Sequence, residues 1–292
     1  MRLALWQVIL FAVLQGITEL FPVSSVAHAV LLPAILHWNI TKEGLLPFTV
    51  MLHLGTAFAL FFFFWPEWRD LILAVISPGR WQTAEGKRML RLLLRLVVAT
   101  VPAAAIGFLF EKALSLHFPS GTSAAFFLMV NGLVLILSDR RRALAVEKSR
   151  GISGREMLDE EIVRLSYGKS TLIGLAQSLA LIPGFSRSGM TMVAGIFAGL
   201  SYEAAARFSF LLATPIILGA GILEVPKLLH ADLNHLLVPA ILGGISAGIA
   251  ATVSVWLLMR YFHAHEVKAF RPFGIYCILA GLFALIYLSF GG

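Results

Sequence analysis

The sequence predicts an all-α polytopic membrane protein: six full transmembrane helices plus two re-entrant, broken helix hairpins, arranged as an inverted-topology repeat. Three observations carry that prediction. Of 292 residues, 59% are hydrophobic and only 13% charged, against about 45–50% and about 25% in soluble domains. The apolar residues gather into runs of span length, and two of these runs are interrupted by proline, serine and a charge. The interruptions recur in both halves of the chain with related residues around them. A mean hydropathy of +0.86 requires lipid as a solvent, which excludes an ordinary soluble globule.

The elements follow in chain order. Arg2 and the apolar stretch Leu3–Leu14 have the outline of a signal peptide, but cleavage near Ser25-Val26-Ala27 would discard a polar cluster. The segment is therefore read as the first half of a hairpin over 4–37, broken at Leu20–His28, where Pro22 stops a helix and serines can satisfy the freed backbone groups. Spans are predicted at 46–65, 90–110 and 121–138, near the roughly 20 residues that a 30 Å hydrocarbon layer demands. The connection 139–170 mixes Asp139, Glu147, Glu156, Asp159, Glu160 and Glu161 with basic residues and reads as a solvated linker. A second hairpin over 171–200 breaks at Ile182–Thr191, and spans follow at 206–224, 236–259 and 272–290.

Residues 1–138 and 171–292 thus form two repeats within a single membrane domain, 1–292. Gln15 and Pro22-Val23-Ser24-Ser25 answer to Gln177 and Pro183-Gly184-Phe185-Ser186, with the two prolines 161 residues apart. Phe48-Thr49-Val50 likewise answers to Phe208-Ser209-Phe210. Three crossings per copy is an odd number, so the second copy is inverted, an architecture that brings broken helices together near the bilayer midplane.

Charge supports the layout. The excess of 23 Lys and Arg over 16 Asp and Glu gives +7, but no basic stripe interleaved with aromatics suggests nucleic acid. With the N-terminus outside, 18 of the 23 basic residues fall in the connections 66–95 and 139–170, at Arg207, and at Arg260, Lys268 and Arg271, all on the cytoplasmic side. The single cysteine, Cys277, excludes an intramolecular disulfide and reads as a small buried hydrophobe.

Four ionisable residues then lie inside apolar segments: Glu19, His28, His53 and Arg187. A charge at the bilayer centre costs about 3 kcal/mol on insertion scales, so such residues are paired, wet or functional. His53 is read either as a site residue or as a partner for a neighbouring helix. Arg187 offers a planar fork for phosphate oxygens, and Ser186, Ser188, Gly189 and Thr191 add hydroxyls and backbone N–H groups at the start of a half-helix. Across from them, Glu19, Ser24, Ser25 and His28 supply a carboxylate, hydroxyls and a titratable base. An anion clamp facing such a group is the parts list for phosphoryl transfer. No GxxxxGK[ST] or HExxH is present. Glu19 is a candidate ligand for Mg²⁺ or Ca²⁺ held together with substrate phosphates.

At these two breaks the chain resembles the undecaprenyl-diphosphate phosphatase family, also described as bacitracin-resistance proteins. The residues are Gln15-Gly16-Ile17-Thr18-Glu19-Leu20-Phe21-Pro22-Val23-Ser24-Ser25-Val26-Ala27-His28 and Pro183-Gly184-Phe185-Ser186-Arg187-Ser188-Gly189-Met190-Thr191. Phe208-Ser209-Phe210-Leu211-Leu212-Ala213, the length and the span layout extend the likeness. The resemblance implies removal of the terminal phosphate from a C55 polyprenyl diphosphate, regenerating the lipid carrier of cell-wall synthesis, with a divalent cation assisting. It implies roles for Glu19, Ser25, His28, Arg187, Ser186 and Thr191, and location in the bacterial cytoplasmic (inner) membrane.

This chain departs from the family pattern at Gln15, where many members carry a second acidic residue, at Ala27 for glycine, and at His53 for glutamine. Gln15 is grouped with the substrate-binding residues, and it weakens any mechanism that needs two carboxylates at a metal. Either Ser25 or His28 is the expected nucleophile. The expected partners are the prenyl diphosphate and membrane lipid, with a homodimer left open; the site is expected to open to the outer side. The rival reading is a transporter or flippase for an anionic lipid or small anion, because paired broken helices are also a carrier architecture.

Overall fold

A computed structural model of the chain describes residues 4–38, 42–116, 120–146, 155–230, 234–265 and 267–290. Among the described residues are twelve α-helices and no strand: α1 (Leu5–Thr18), α2 (Ser25–Ile35), α3 (Lys42–Phe63), α4 (Trp65–Ile76), α5 (Ala84–Leu116), α6 (Gly121–Val146), α7 (Arg155–Val163), α8 (Tyr167–Ser178), α9 (Arg187–Ala198), α10 (Tyr202–His230), α11 (Asn234–Ala264) and α12 (Arg271–Phe290). Five of them hold stretches long and apolar enough to cross a membrane: Ala84–Leu109, Gly121–Arg140, Tyr202–Ile222, Leu237–Ala264 and Arg271–Phe290. These coincide with the spans expected at 90–110, 121–138, 206–224, 236–259 and 272–290. This is a multi-pass membrane protein.

The span expected at 46–65 takes a different form. Phe48–Phe63 passes the same test only together with Trp65–Ile76, and the two are bent by 74°. Pro66 sits in the first turn of α4. It offers no N–H, and its ring would clash with the Phe62 carbonyl in a continuous helix, so α3 stops and the chain turns.

Both expected breaks are present. α1 ends at Thr18, and α2 begins at Ser25, capped by Ser24, whose φ of 65° lies in the left-handed region and whose hydroxyl accepts from the Ala27 N–H. α8 passes through a short 3₁₀ turn, Leu179–Leu181, into Pro183 and Gly184, and α9 then starts under a Ser186 cap. Gly184 has φ of 116°, and a Cβ there would stand 2.4 Å from the Phe127 Cβ, so only glycine fits both the turn and the approach to α6.

The helices pair across the two halves. α1 packs on α11 as α8 packs on α5, while α3 with α10 and α6 with α12 pair directly. Backbones come close through small residues: a Cβ on Gly16 would lie 2.4 Å from the Ala247 carbonyl oxygen, and one on Gly174 2.2 Å from that of Ala99. In lipid, where apolar association between helices gains nothing from water, such close contact is the main source of cohesion.

Among its described residues the connection 139–170 is solvated only in part: Glu156 and Arg164 are exposed, but two of its carboxylates are buried. Asp139 is 3% exposed and Asp159 2% exposed. Asp139 accepts from the Tyr202 hydroxyl at 2.6 Å and from the Phe270 N–H at 3.2 Å. Arg207 is buried as well, and its Nη2 meets Glu67 on α4 at 3.0 Å and Asp159 on α7 at 2.8 Å. Charge spacing in a sequence does not reveal that a short helix packs onto the bundle with Asp159 turned inward. Glu147, in the same connection, lies outside the described residues.

Removing one member of a buried ion cluster costs about 3–5 kcal/mol, because the remaining charges stay desolvated. Arg207→Ala is therefore expected to lower the melting temperature in detergent micelles markedly. Arg164→Ala, at an exposed pair, leaves it nearly unchanged.

Candidate active site

Glu19 stands one residue beyond α1, and all the other groups of the site are arranged around it. Gln15, a turn earlier on α1, donates to Glu19 Oε2 at 3.1 Å. Ser25, the first residue of α2, donates its hydroxyl to the same oxygen at 2.5 Å. His53 on α3 approaches it with Nε2 at 3.2 Å. The other carboxylate oxygen meets Arg187 Nη2 at 2.9 Å, across 168 positions of chain. One buried carboxylate thus joins α1, α2, α3 and α9.

His53 acts as a cationic partner here. Its Nδ1 lies 2.7 Å from the Thr49 carbonyl, and a carbonyl only accepts, so Nδ1 carries a proton. Contact between Nε2 and a carboxylate oxygen is then favourable only with a further proton between them. His53 thus reaches from α3 to the carboxylate at the end of α1, which both readings of it anticipate.

Arg187 leaves a donor free. Among the described residues its buried Nη1 has no partner, and the side chain sits at the N-terminus of α9, where the helix dipole favours an anion. Ser188 closes the second break onto the first, with its hydroxyl 3.2 Å from the Phe21 carbonyl.

Several expected anion ligands also have local partners. The Ser186 hydroxyl accepts from the Gly189 N–H at 3.1 Å, and Ser24 is spent on its own cap. Thr191 bonds the Arg187 carbonyl at 2.8 Å and the Ser209 hydroxyl at 2.5 Å. All these residues are gathered at the two breaks, and these three hydroxyls also hold the local backbone in place.

Among the described residues His28 makes no hydrogen bond to Ser25. Its Nδ1 contacts the Ser24 carbonyl at 2.7 Å and its Nε2 the Tyr276 hydroxyl at 2.8 Å. Ser25 is therefore partnered by Glu19.

Asn131 on α6, 0% exposed, is the contact that the sequence reading missed. Its amide donates to the Pro22 carbonyl in the first break at 3.0 Å, and its oxygen accepts from the Ser186 N–H in the second, also at 3.0 Å. A lone amide inside an otherwise apolar span is the signal that could have found it; a search confined to ionisable residues passed over it. Gln177, expected as the counterpart of Gln15, is 3% exposed, and both of its polar atoms lack partners.

The donor set for a metal is sparse. Among the described residues no three His, Cys, Asp or Glu side chains are arranged to hold an ion. One carboxylate, with an amide beside it, fits a hard divalent cation carried together with the phosphates of a ligand better than a resident one.

The sequence profile of the family described as bacitracin resistance protein BacA matches residues 8–283. An undecaprenyl-diphosphatase of Acidiphilium cryptum is 46% identical over 287 residues, covering 97% of this chain and 98% of its own. One of Granulibacter bethesdensis is 47% identical over 288 residues, covering 97% of each chain. An undecaprenyl-diphosphatase 2 of Chromobacterium violaceum is 45% identical over 287 residues, covering 96% and 98%.

Asn131→Leu keeps the branched shape and removes the hydrogen bonds to Pro22 and Ser186, leaving a buried carbonyl and a buried N–H that each cost about 1–3 kcal/mol. The variant is expected to melt earlier in micelles with unchanged helical circular dichroism.

Proposed function

Because the chain belongs to the bacitracin resistance protein BacA family, we infer that its two breaks are the active centre of an integral membrane phosphatase. The enzyme hydrolyses undecaprenyl diphosphate to undecaprenyl phosphate and inorganic phosphate, which returns the lipid carrier to peptidoglycan synthesis.

In our reading the diphosphate binds at Arg187, whose free Nη1 and flanking α9 N-terminus complement phosphate oxygens. Ser25 is the nucleophile, and the observation that carries this is its 2.5 Å hydrogen bond to the Glu19 carboxylate. A serine hydroxyl is a weak nucleophile until a base takes its proton, and Glu19 is the base in contact with it. The Oγ–P bond forms as the bridging P–O bond breaks, undecaprenyl phosphate leaves, and Glu19 holds the proton. In the second step water attacks the phosphoserine, its proton passes to His28, and Glu19 returns the first proton to Ser25. With Nδ1–H held by the Ser24 carbonyl, the Nε2 lone pair of His28 is the available base.

A divalent cation belongs to the same proposal. Glu19 and Gln15 are the residues that would hold it, and bound there it would neutralise diphosphate charge. The finer architecture does too: six spans with two re-entrant hairpins, related as inverted repeats, are supported by the exchanged helix pairings. The asymmetry of basic residues supports insertion in the bacterial inner membrane with the site open outward.

Two measurements test the chemistry. Glu19→Gln is expected to lower kcat for phosphate release by about 10²–10⁴-fold, the range of a positioned general base. His28→Ala should accumulate an acid-stable phosphoserine at Ser25 detectable by mass spectrometry. An acid-labile phosphohistidine in the wild type would instead make His28 the nucleophile. Chelation should reduce phosphate release, with Mg²⁺ or Ca²⁺ restoring it.

A further inference from the structure

We propose that Tyr276 is a positioning residue for the hydrolytic step, holding His28 Nε2 unprotonated and aimed until water displaces the tyrosine hydroxyl. The inference rests on the reading of His28 as the second-step base and extends it to a residue on α12, 248 positions away.

The argument begins with proton bookkeeping on the imidazole ring. Nδ1 faces the Ser24 carbonyl at 2.7 Å, so Nδ1 carries the ring proton. Nε2 lies 2.8 Å from the Tyr276 hydroxyl, so in the neutral ring the phenol donates and Nε2 accepts. The lone pair that the hydrolysis requires is thus occupied by a neutral donor, in the position a water would take. The ring planes are 5° apart at 5.8 Å, which limits rotation of the imidazole.

The surroundings fix this alignment. Cys277, the next residue on α12, receives a hydrogen bond from Asn131 at 3.4 Å, the same amide that bonds Pro22 in the first break. At the far end of α2, Tyr287 donates to the Ile35 carbonyl at 3.3 Å and meets His37 Nε2 at 3.2 Å. α12 is therefore tied through Asn131 to the first break and through Tyr287 to the far end of α2, contacts that flank the His28–Tyr276 pair. Tyr276 itself is 44% exposed on the outer surface of α12, so its ring has room to swing aside.

Tyr276→Phe keeps the stacking and removes the hydroxyl. We expect kcat for phosphate release from undecaprenyl diphosphate to fall about tenfold, part of the 10²–10⁴-fold that a positioned proton-transfer group supplies, with KM unchanged and phosphoserine accumulating. In a His28→Ala background the same substitution should have no further effect, as expected of residues acting through one another. Wild-type kcat in Tyr276→Phe, or an additive loss in the double variant, would overturn the proposal. If Tyr276→Phe does not fold, the ¹⁵N resonance of His28 Nε2 in the wild-type protein decides. An unprotonated, hydrogen-bonded nitrogen supports the proposal, and a protonated one overturns it. His28→Ala separates the two failures. Full turnover in that variant overturns the assignment of His28, whereas full turnover confined to Tyr276→Phe overturns only the role of Tyr276.

Discussion

The ion pair between Glu19 and Arg187 is the constraint on which the rest of the structure depends. It is buried, it joins two helix breaks from opposite halves of the chain, and each partner alone would be an uncompensated charge at membrane depth. Desolvation of both ions opposes the pair, so it persists only with further hydrogen bonds around it. Gln15, Ser25 and His53 supply them on the carboxylate. On the proposed function, the pair also links the base to the anion-binding cation, while the nucleophile bonds the same carboxylate.

A broken helix inside a membrane exposes backbone groups that lipid cannot satisfy. Here each break helps to satisfy the other. Ser188 of the second bonds the Phe21 carbonyl of the first, and Asn131 bonds a carbonyl of one and an N–H of the other. The left-handed backbone at Ser24 and Gly184 brings the chain round into these contacts. Catalytic geometry and backbone satisfaction are therefore served by the same bonds, and shifting one break would forfeit both.

What the sequence made legible follows the same physics. Ionisable residues in apolar runs are costly, so Glu19, His28 and Arg187 stood out, and Pro22 and Pro183 marked where the helices stop. Neutral groups carry no such signature. Asn131 and Tyr276 sit in spans that read as apolar, and their partners lie 55 and 248 positions away, distances that no local pattern encodes. The charges of 139–170 misled for the opposite reason. Asp139 and Asp159 looked solvated because their neighbours are charged, whereas tertiary packing of α6 and α7 buries them against Tyr202 and Arg207.

On the proposed function, the charge arrangement also explains how Glu19 can serve beside a diphosphate. A free Glu19 would repel the substrate it must help to cleave. With Arg187 on one oxygen and His53 on the other, the carboxylate is screened from the incoming phosphate while its contact with the Ser25 hydroxyl stays short. In the low dielectric of a buried site that screening is far stronger than it would be in water. Gln15, a neutral amide where a second carboxylate would add repulsion, acts in the same direction by donating to Glu19 without adding negative charge. On the proposed function, the site therefore keeps Glu19 in reach of Ser25 and leaves the buried Nη1 of Arg187 as the donor for the substrate anion.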